Sequence, residues 1–145
     1  MGEIRHGRFT DLDAATVFGL ARLRQEVFVV EQECAYPDLD DRDTDPETVH
    51  FWIGGENGIV ACLRLLRDGA GWKIGRVCCA KAERGRGLSA RLMAAAIGRA
   101  GPETTFALDA QTYAAGFYRR FGFVEDGPEF IEDGIAHVPM IRKGR

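Results

Sequence analysis

Three runs of strand character follow one another with almost no chain between them, and this limits the available folds more than any other feature. They are His50 to Ile53, Ile59 to Arg67 and Trp72 to Cys79, separated by Glu56-Asn57-Gly58 and Asp68-Gly69-Ala70-Gly71. Asn-Gly and a short Gly-bearing loop are hairpin signals. Connections this short join antiparallel neighbours, because a parallel pair needs a long crossover. An antiparallel meander in mid-chain is therefore expected.

Around this meander the period changes. Leu88, Leu92, Met93, Ala96, Ile97 and Ala100 recur at helical spacing until Gly101-Pro102 stops the pattern. Thr105 to Ala110 is strand-like, Tyr113 to Phe121 is a short helix closed by Gly122, and Phe123-Val124 and Ala136 to Arg142 are final strands. Near the start, Thr10-Asp11-Leu12-Asp13 has the form of a capping box. Val17, Leu20, Leu23, Val27 and Phe28 then predict a first helix from about Asp11 to Phe28. Glu31 to Glu47 is acidic and turn-rich, which predicts a long ordered loop or short helical turns. The order describes a mixed α/β (α+β) fold with one strand-helix-strand crossover.

A chain of 145 residues that is 46% hydrophobic suits one domain spanning 1–145. No apolar run approaches the roughly 20 residues of a membrane span, so a soluble, cytoplasmic protein is expected. A net charge of −3 argues against a nucleic-acid partner. Cys34, Cys62, Cys78 and Cys79 form no C-x-x-C pair and have no His at zinc-ligand spacing, so they are expected to be reduced, mostly structural thiols. In a strand, Cys78 and Cys79 point to opposite faces. The run Asp38, Asp40, Asp41, Asp43, Asp45, Glu47 suggests calcium, but the register from Asp41 puts Pro46 and Trp52 where a calcium loop needs Gly and Glu. No metal is expected. A solvated loop is the default for this run, and a mouth that attracts cationic amines is the functional alternative.

The segment Arg84-Gly85-Arg86-Gly87-Leu88-Ser89 lies between a strand and a helix. Its glycines let the backbone approach a ligand, and the helix N-terminus directs free N–H groups there. Two arginines add charge-assisted donors. An anion site, most simply for a pyrophosphate, follows. Gly85-x-Gly87-x-x-Ala90 also fits a dinucleotide fingerprint, so an NAD(P)-binding oxidoreductase is one alternative. That fold needs a parallel strand immediately before the loop, whereas a meander and a five-residue spacer precede this one.

The pattern R-x-x-G-x-G/A before a helix resembles the coenzyme A pyrophosphate loop of the GNAT acyltransferases, with Arg84 and Gly87 in place and Ser89 departing from the usual Gly or Ala. The resemblance implies a central, mostly antiparallel twisted sheet, splayed at the cofactor site and flanked by helices. It implies acetyl-CoA bound along the backbone of Val77, Cys78 and Cys79 and over Arg84, Gly85, Arg86, Gly87, Leu88 and Ser89. Leu108-Asp109-Ala110-Gln111 and Ala114 to Phe123 resemble the family's next strand and its F-Y-x-x-x-G-F turn. Tyr118 then falls near the coenzyme A sulfur, and Gln111 stands where many members have Asn. Leu23 to Gln32, Cys34, Tyr36 and Glu132 to Met140 resemble the ElaA group of this superfamily, which supplies no acceptor.

The implied reaction is direct attack of a primary amine, on a small molecule or peptide, on the acetyl thioester. For an alkyl amine of pKa about 10.4, deprotonation at pH 7 costs about 4.6 kcal/mol. Glu31 and His137 are the candidate bases. Tyr118 suits the acid or hydrogen-bond donor to the departing sulfur, since a phenol protonating a thiolate runs uphill by roughly 2 kcal/mol. Backbone N–H near Cys79 would hold the oxyanion. A covalent route through Cys34 or Cys79 lacks a Cys-His-Asp arrangement. A coenzyme A sensor or interaction module without turnover is the other alternative, suggested by the Ser89 and Gln111 departures. A homodimer is compatible with the family, with no surface assigned.

Overall fold

A computed structural model describes residues 2–145. The meander forms as the turns require: β2 (Val49–Gly55), β3 (Gly58–Asp68) and β4 (Gly71–Cys79) pair antiparallel in sequence. β1 (Ile4–Gly7) adds to the free edge of β2. After the helix α2 (Leu88–Ala100) the chain returns as β5 (Phe106–Gln111), which runs parallel to β4, and the remaining strands continue antiparallel. The order across the sheet is β1-β2-β3-β4-β5-β8-β6, with β6 at Val124–Glu125, β7 at Phe130–Glu132 beside β8, and β8 at Ile135–Arg142.

Hydrophobic residues cover both faces. On one, α2 buries Leu88, Leu92, Met93 and Ala96 against Phe51, Leu63, Leu65, Ile74, Phe106, Leu108 and Met140. On the other, α1 (Ala14–Arg24) and its continuation bury Leu20, Leu23 and Val27 against Cys62 and Cys78. The alternation along β5 shows the division directly. Leu108 and Ala110 enter the core, while Asp109 and Gln111 face the α1 side, where a cleft opens.

The first helix differs from expectation at both ends. Asp13, not Thr10, caps it, accepting from Thr16 N–H at 2.8 Å, and Phe9–Asp11 is a separate 3₁₀ turn. Beyond Arg24 the helix widens into a π-helical segment over Gln25–Glu31 that carries it past Phe28. Such segments displace the following side chains and are frequent at functional sites. Here the segment ends by delivering Glu31 and Gln32 to the cleft.

A second irregularity shapes the sheet. Cys62 pairs with Cys78 and Arg64 with Gly75, so Arg76 and Val77 together oppose the single residue Leu63. This is a β-bulge, which bends its strand and re-aims a side chain. Arg76 takes a positive φ of 53° within it. β4 and β5 accordingly pair only at Trp72–Phe106 and Lys73–Ala107 before they part.

Candidate active site

The cleft lies in the gap between the diverging strands and has a volume of about 580 Å³. One wall is β4 from Ile74 to Cys79, whose β5-facing edge has no ladder partner beyond Lys73. The other is formed by Leu108, Asp109 and Gln111 of β5, with Tyr118 of α3 (Ala115–Arg119) beyond them. His137 follows from the β5–β8 register, which sets it opposite Gln111 on the same face. The lining brings together Val77, Cys78, Cys79, Arg84, Ser89, Gln111, Tyr118, Glu31 and His137.

The remaining loop residues behave differently. Gly85, Arg86 and Gly87 are exposed outside the cleft lining, and Arg86 pairs with Glu83 at 3.1 Å. Leu88 is 3% exposed and its side chain is a core anchor, so only its main chain can meet a ligand. Gly87 stands at the N-cap of α2 with φ +73°, a conformation that favours glycine, and no side chain caps the helix. The first intrahelical bond runs from Arg91 N–H to Gly87 carbonyl, so the N–H groups of the first turn remain available to an anion.

Arg84 sits between this helix end and the cleft. Its Nε donates to the Cys79 carbonyl at 3.1 Å, and its two terminal nitrogens donate to Glu31 at 2.6 and 2.7 Å. The hydrogen bonds from Arg84 hold the Glu31 carboxyl below the usual range, outweighing partial burial. Glu31 is therefore ionised but occupied.

His137 has the complementary condition. Its Nδ1 lies 2.8 Å from the Ile135 carbonyl, which fits the tautomer with the proton on Nδ1, and its ring stacks on Phe130 at 5.6 Å. That tautomer leaves Nε2 with a free lone pair. Tyr118 packs edge-on against Phe117 at 5.1 Å and Phe123 at 6.3 Å. Burial pushes its phenol well above the ordinary value, so it carries its proton throughout the neutral range.

Three polar pairings of the cleft have no readable signal in the sequence, although Gln111 itself was a candidate. Gln32 and Gln111 exchange amide hydrogen bonds at 3.2 Å in each direction, joining the π-helical segment to the end of β5. Lys73 pairs with Asp109 at 2.8 Å where β4 and β5 part. Arg76 stacks on Tyr36 at 5.5 Å and pairs with Asp38 at 2.9 Å.

The acidic loop is solvated at Asp41 and Glu47, as expected, but Asp38 and Asp43 depart from that expectation because they are packed onto arginines. Asp38 and Asp43 clamp Arg24 at 2.9 and 2.6 Å, and Asp40 and Asp43 hold Arg64 at 2.7 and 2.9 Å. Tyr36 donates to Asp38 at 2.6 Å. Burial alone would raise Asp43, but the Arg24 hydrogen bond and charge bring it down to about 2. Asp38, Asp40 and Asp43 are thus spent on three arginines, of which Arg64 and Arg76 line the cleft. Among the described residues no group of His, Cys, Asp or Glu is arranged to hold a metal ion. The four cysteines are unbridged, with Cys62 and Cys78 in contact at 3.6 Å.

A splayed sheet with an uncapped helix end and a flanking arginine suits an acyl carrier with a phosphate arm, and comparison with known proteins decides the matter. Residues 15–143 match the family model described as an acetyltransferase (GNAT) domain. The chain belongs to the GNAT family of acyltransferases. Among relatives of this GNAT enzyme, a UPF0039 protein of Mycobacterium tuberculosis is 49% identical over 139 residues, covering 92% of this chain and 88% of that one. ElaA of Escherichia coli is 32% identical over 140 residues, 92% of each. Its crystal structure matches with a TM-score of 0.91 over 99% of this chain and 100% of that one. An acyl-CoA N-acyltransferase of Pseudomonas aeruginosa matches with a TM-score of 0.89 at 35% identity, covering 97% and 99%. The oxidoreductase alternative finds no support, since only β4 and β5 are parallel among the described strands and the dinucleotide fold requires a parallel series.

Proposed function

We propose that this GNAT enzyme transfers an acetyl group from acetyl-CoA to a primary amine by direct attack, in the cytoplasm. The observation that carries the proposal is the parting of β4 and β5. It exposes a strand edge to an extended ligand and lines one cleft with Tyr118 and His137. The pyrophosphate would lie on the first turn of α2 and on Arg84, and the pantetheine arm along Val77, Cys78 and Cys79. The unbridged cysteines suit a reducing compartment.

In this scheme the amine loses its proton to the acceptor side of the cleft, its nitrogen bonds to the thioester carbon, and the carbon–sulfur bond breaks. Tyr118 donates to the leaving sulfur. Its raised pKa favours hydrogen-bond donation over complete proton release. Of the two candidate bases, His137 has the free lone pair. A carboxylate of ordinary pKa about 4.3 would accept a proton from an alkylammonium at a cost of about 8 kcal/mol. Glu31, held lower still by Arg84, is the weaker base of the two.

Calorimetry with acetyl-CoA and NADH, followed by an amine panel scored by thiol release, tests the proposal. Acetyl-CoA is expected to bind, Arg84→Ala and Gly87→Asp to weaken binding, and at least one amine to be acetylated. Binding without turnover on any amine would favour the sensor alternative. Binding of neither ligand would refute both.

A further inference from the structure

We propose that the acceptor half of the cleft contains an anion subsite at Gly75, so that the acceptor is an amine that also carries a carboxylate. The identity of the acceptor rests on the acyl-transfer reading above, whereas the subsite itself does not. Gly75 pairs with Arg64 across β3 and β4, and both line the cleft. A Cβ added at Gly75 would meet one atom within 4 Å, Arg64 Nε at 4.0 Å. The missing side chain therefore leaves the space on the Gly75 side of that nitrogen unfilled.

Arg64 Nε is buried and has no hydrogen-bond partner among the described residues. The other nitrogens of this guanidinium are engaged, Nη1 by Asp40 and Asp43 and Nη2 by Asp40. The side chain is only 5% exposed, and a buried N–H without an acceptor is rare enough to ask for one. Two further cations share the cleft with it. Lys73 has three donors and spends one on Asp109. Arg76 engages Asp38 and Asp40 through Nε and Nη2, and its Nη1 makes no bond among the described residues.

The carboxylates around this space are already committed. Asp38, Asp40 and Asp43 sit on the guanidiniums of Arg24, Arg64 and Arg76, and Asp109 is on Lys73. The exposed acids Glu132 and Asp133 line the cleft from the β7–β8 turn, near His137 in sequence. An acceptor with its amine toward His137 meets the acids Glu132 and Asp133 there, and its anion toward Gly75 meets N–H donors left unengaged by the ion pairs. A planar carboxylate accepts from several N–H groups at once, which suits donors of Arg64, Arg76 and Lys73 that line the same part of the cleft.

The test uses N-acetylglycine and N-methylacetamide as matched probes, titrated into the protein saturated with coenzyme A. Charge-assisted hydrogen bonds make the carboxylate probe bind at least about tenfold tighter. Gly75→Asp, which puts its own carboxylate into that space, is expected to abolish that ratio, and Lys73→Met to reduce it severalfold. In turnover, amino acids are expected to exceed their decarboxylated amines in kcat/KM, an advantage lost in Gly75→Asp and reduced in Lys73→Met. Equal binding of the two wild-type probes, or a ratio that survives Gly75→Asp in a folded variant, overturns the subsite. A carboxylate preference with no amine acetylated would leave the subsite standing and refute acyl transfer. Amine acetylation without that preference would do the reverse.

Discussion

Replacing Glu31 by Gln separates two roles for this residue. The carboxylate holds Arg84 through two hydrogen bonds of 2.6 and 2.7 Å, so an incoming pyrophosphate has to take the guanidinium away from it. The side chains are 40% and 35% exposed, which places the pair among surface salt bridges worth about 0.2–1 kcal/mol after solvent screening. Releasing that competition should tighten coenzyme A binding by about 1.4- to 5-fold, since RT is about 0.6 kcal/mol. Calorimetric titration at low ionic strength measures it, and the difference should shrink in 1 M salt, where the Debye length is about 3 Å. It should also shrink as pH falls through the lowered Glu31 pKa, because the protonated acid no longer competes for Arg84. If Glu31 is instead the base, Glu31→Gln would leave the dissociation constant unchanged and cut kcat by about 10²-fold or more. Weaker coenzyme A binding in the variant would refute the competition argument outright.

Two further outcomes follow from the same geometry. Tyr118→Phe should lower kcat by about 10²- to 10⁴-fold with little change in acetyl-CoA affinity, measured by thiol release and calorimetry side by side. Asp43, with a native pKa of about 2 against 3.8 unfolded, contributes about 2 kcal/mol of stability. Because the native value is the lower one, that contribution is complete above about pH 4 and disappears as pH falls toward 2. Thermal melts across this window should show the decline, and Asp43→Asn should flatten it. The same substitution should cost about 3–5 kcal/mol at neutral pH, by leaving Arg24 and Arg64 undercompensated.

How much was legible depended on how far apart the cooperating residues lie. The meander and α2 follow from period and turn residues that are local, and observed limits such as Leu88–Ala100 agree with them. The strand-to-helix turn at Arg84–Ser89 is a contiguous motif, and its place before α2 was readable for the same reason. β1 and β7 were not anticipated, since four and three residues carry almost no periodic signal and become strands by pairing with β2 and β8. The ion pairs of the acidic loop were not legible because the partners are distant: Arg24 lies 14 residues before Asp38, and Arg64 lies 24 after Asp40. Composition shows that the acids exist but not that buried Arg24 and Arg64 and half-buried Arg76 lie beside them. Leu88 carries both signals, since the motif marks its main chain at the helix start while the helical period assigns its side chain to the core.

The bulge at Arg76 ties these features together. A non-glycine residue at φ 53° costs on the order of 1–3 kcal/mol, so the surrounding structure has to hold it there. Asp38 takes two guanidinium nitrogens and Tyr36 covers the guanidinium plane, and both come from the acidic loop. Asp38 is itself fixed by Arg24 at the end of α1, where the π-helical segment that delivers Glu31 begins. The extra residue in β4 turns Arg76 toward the cleft beside Gly75, and the strand bends away from β5 to open the gap. The buried ion network is therefore better understood as the clamp on this bend than as a source of net stability, because buried ion pairs seldom stabilise relative to apolar packing. It links the end of α1, the acidic loop and the splayed strand, so the unpaired edge of β4 and the Gly75–Arg76 stretch of the cleft share one local distortion.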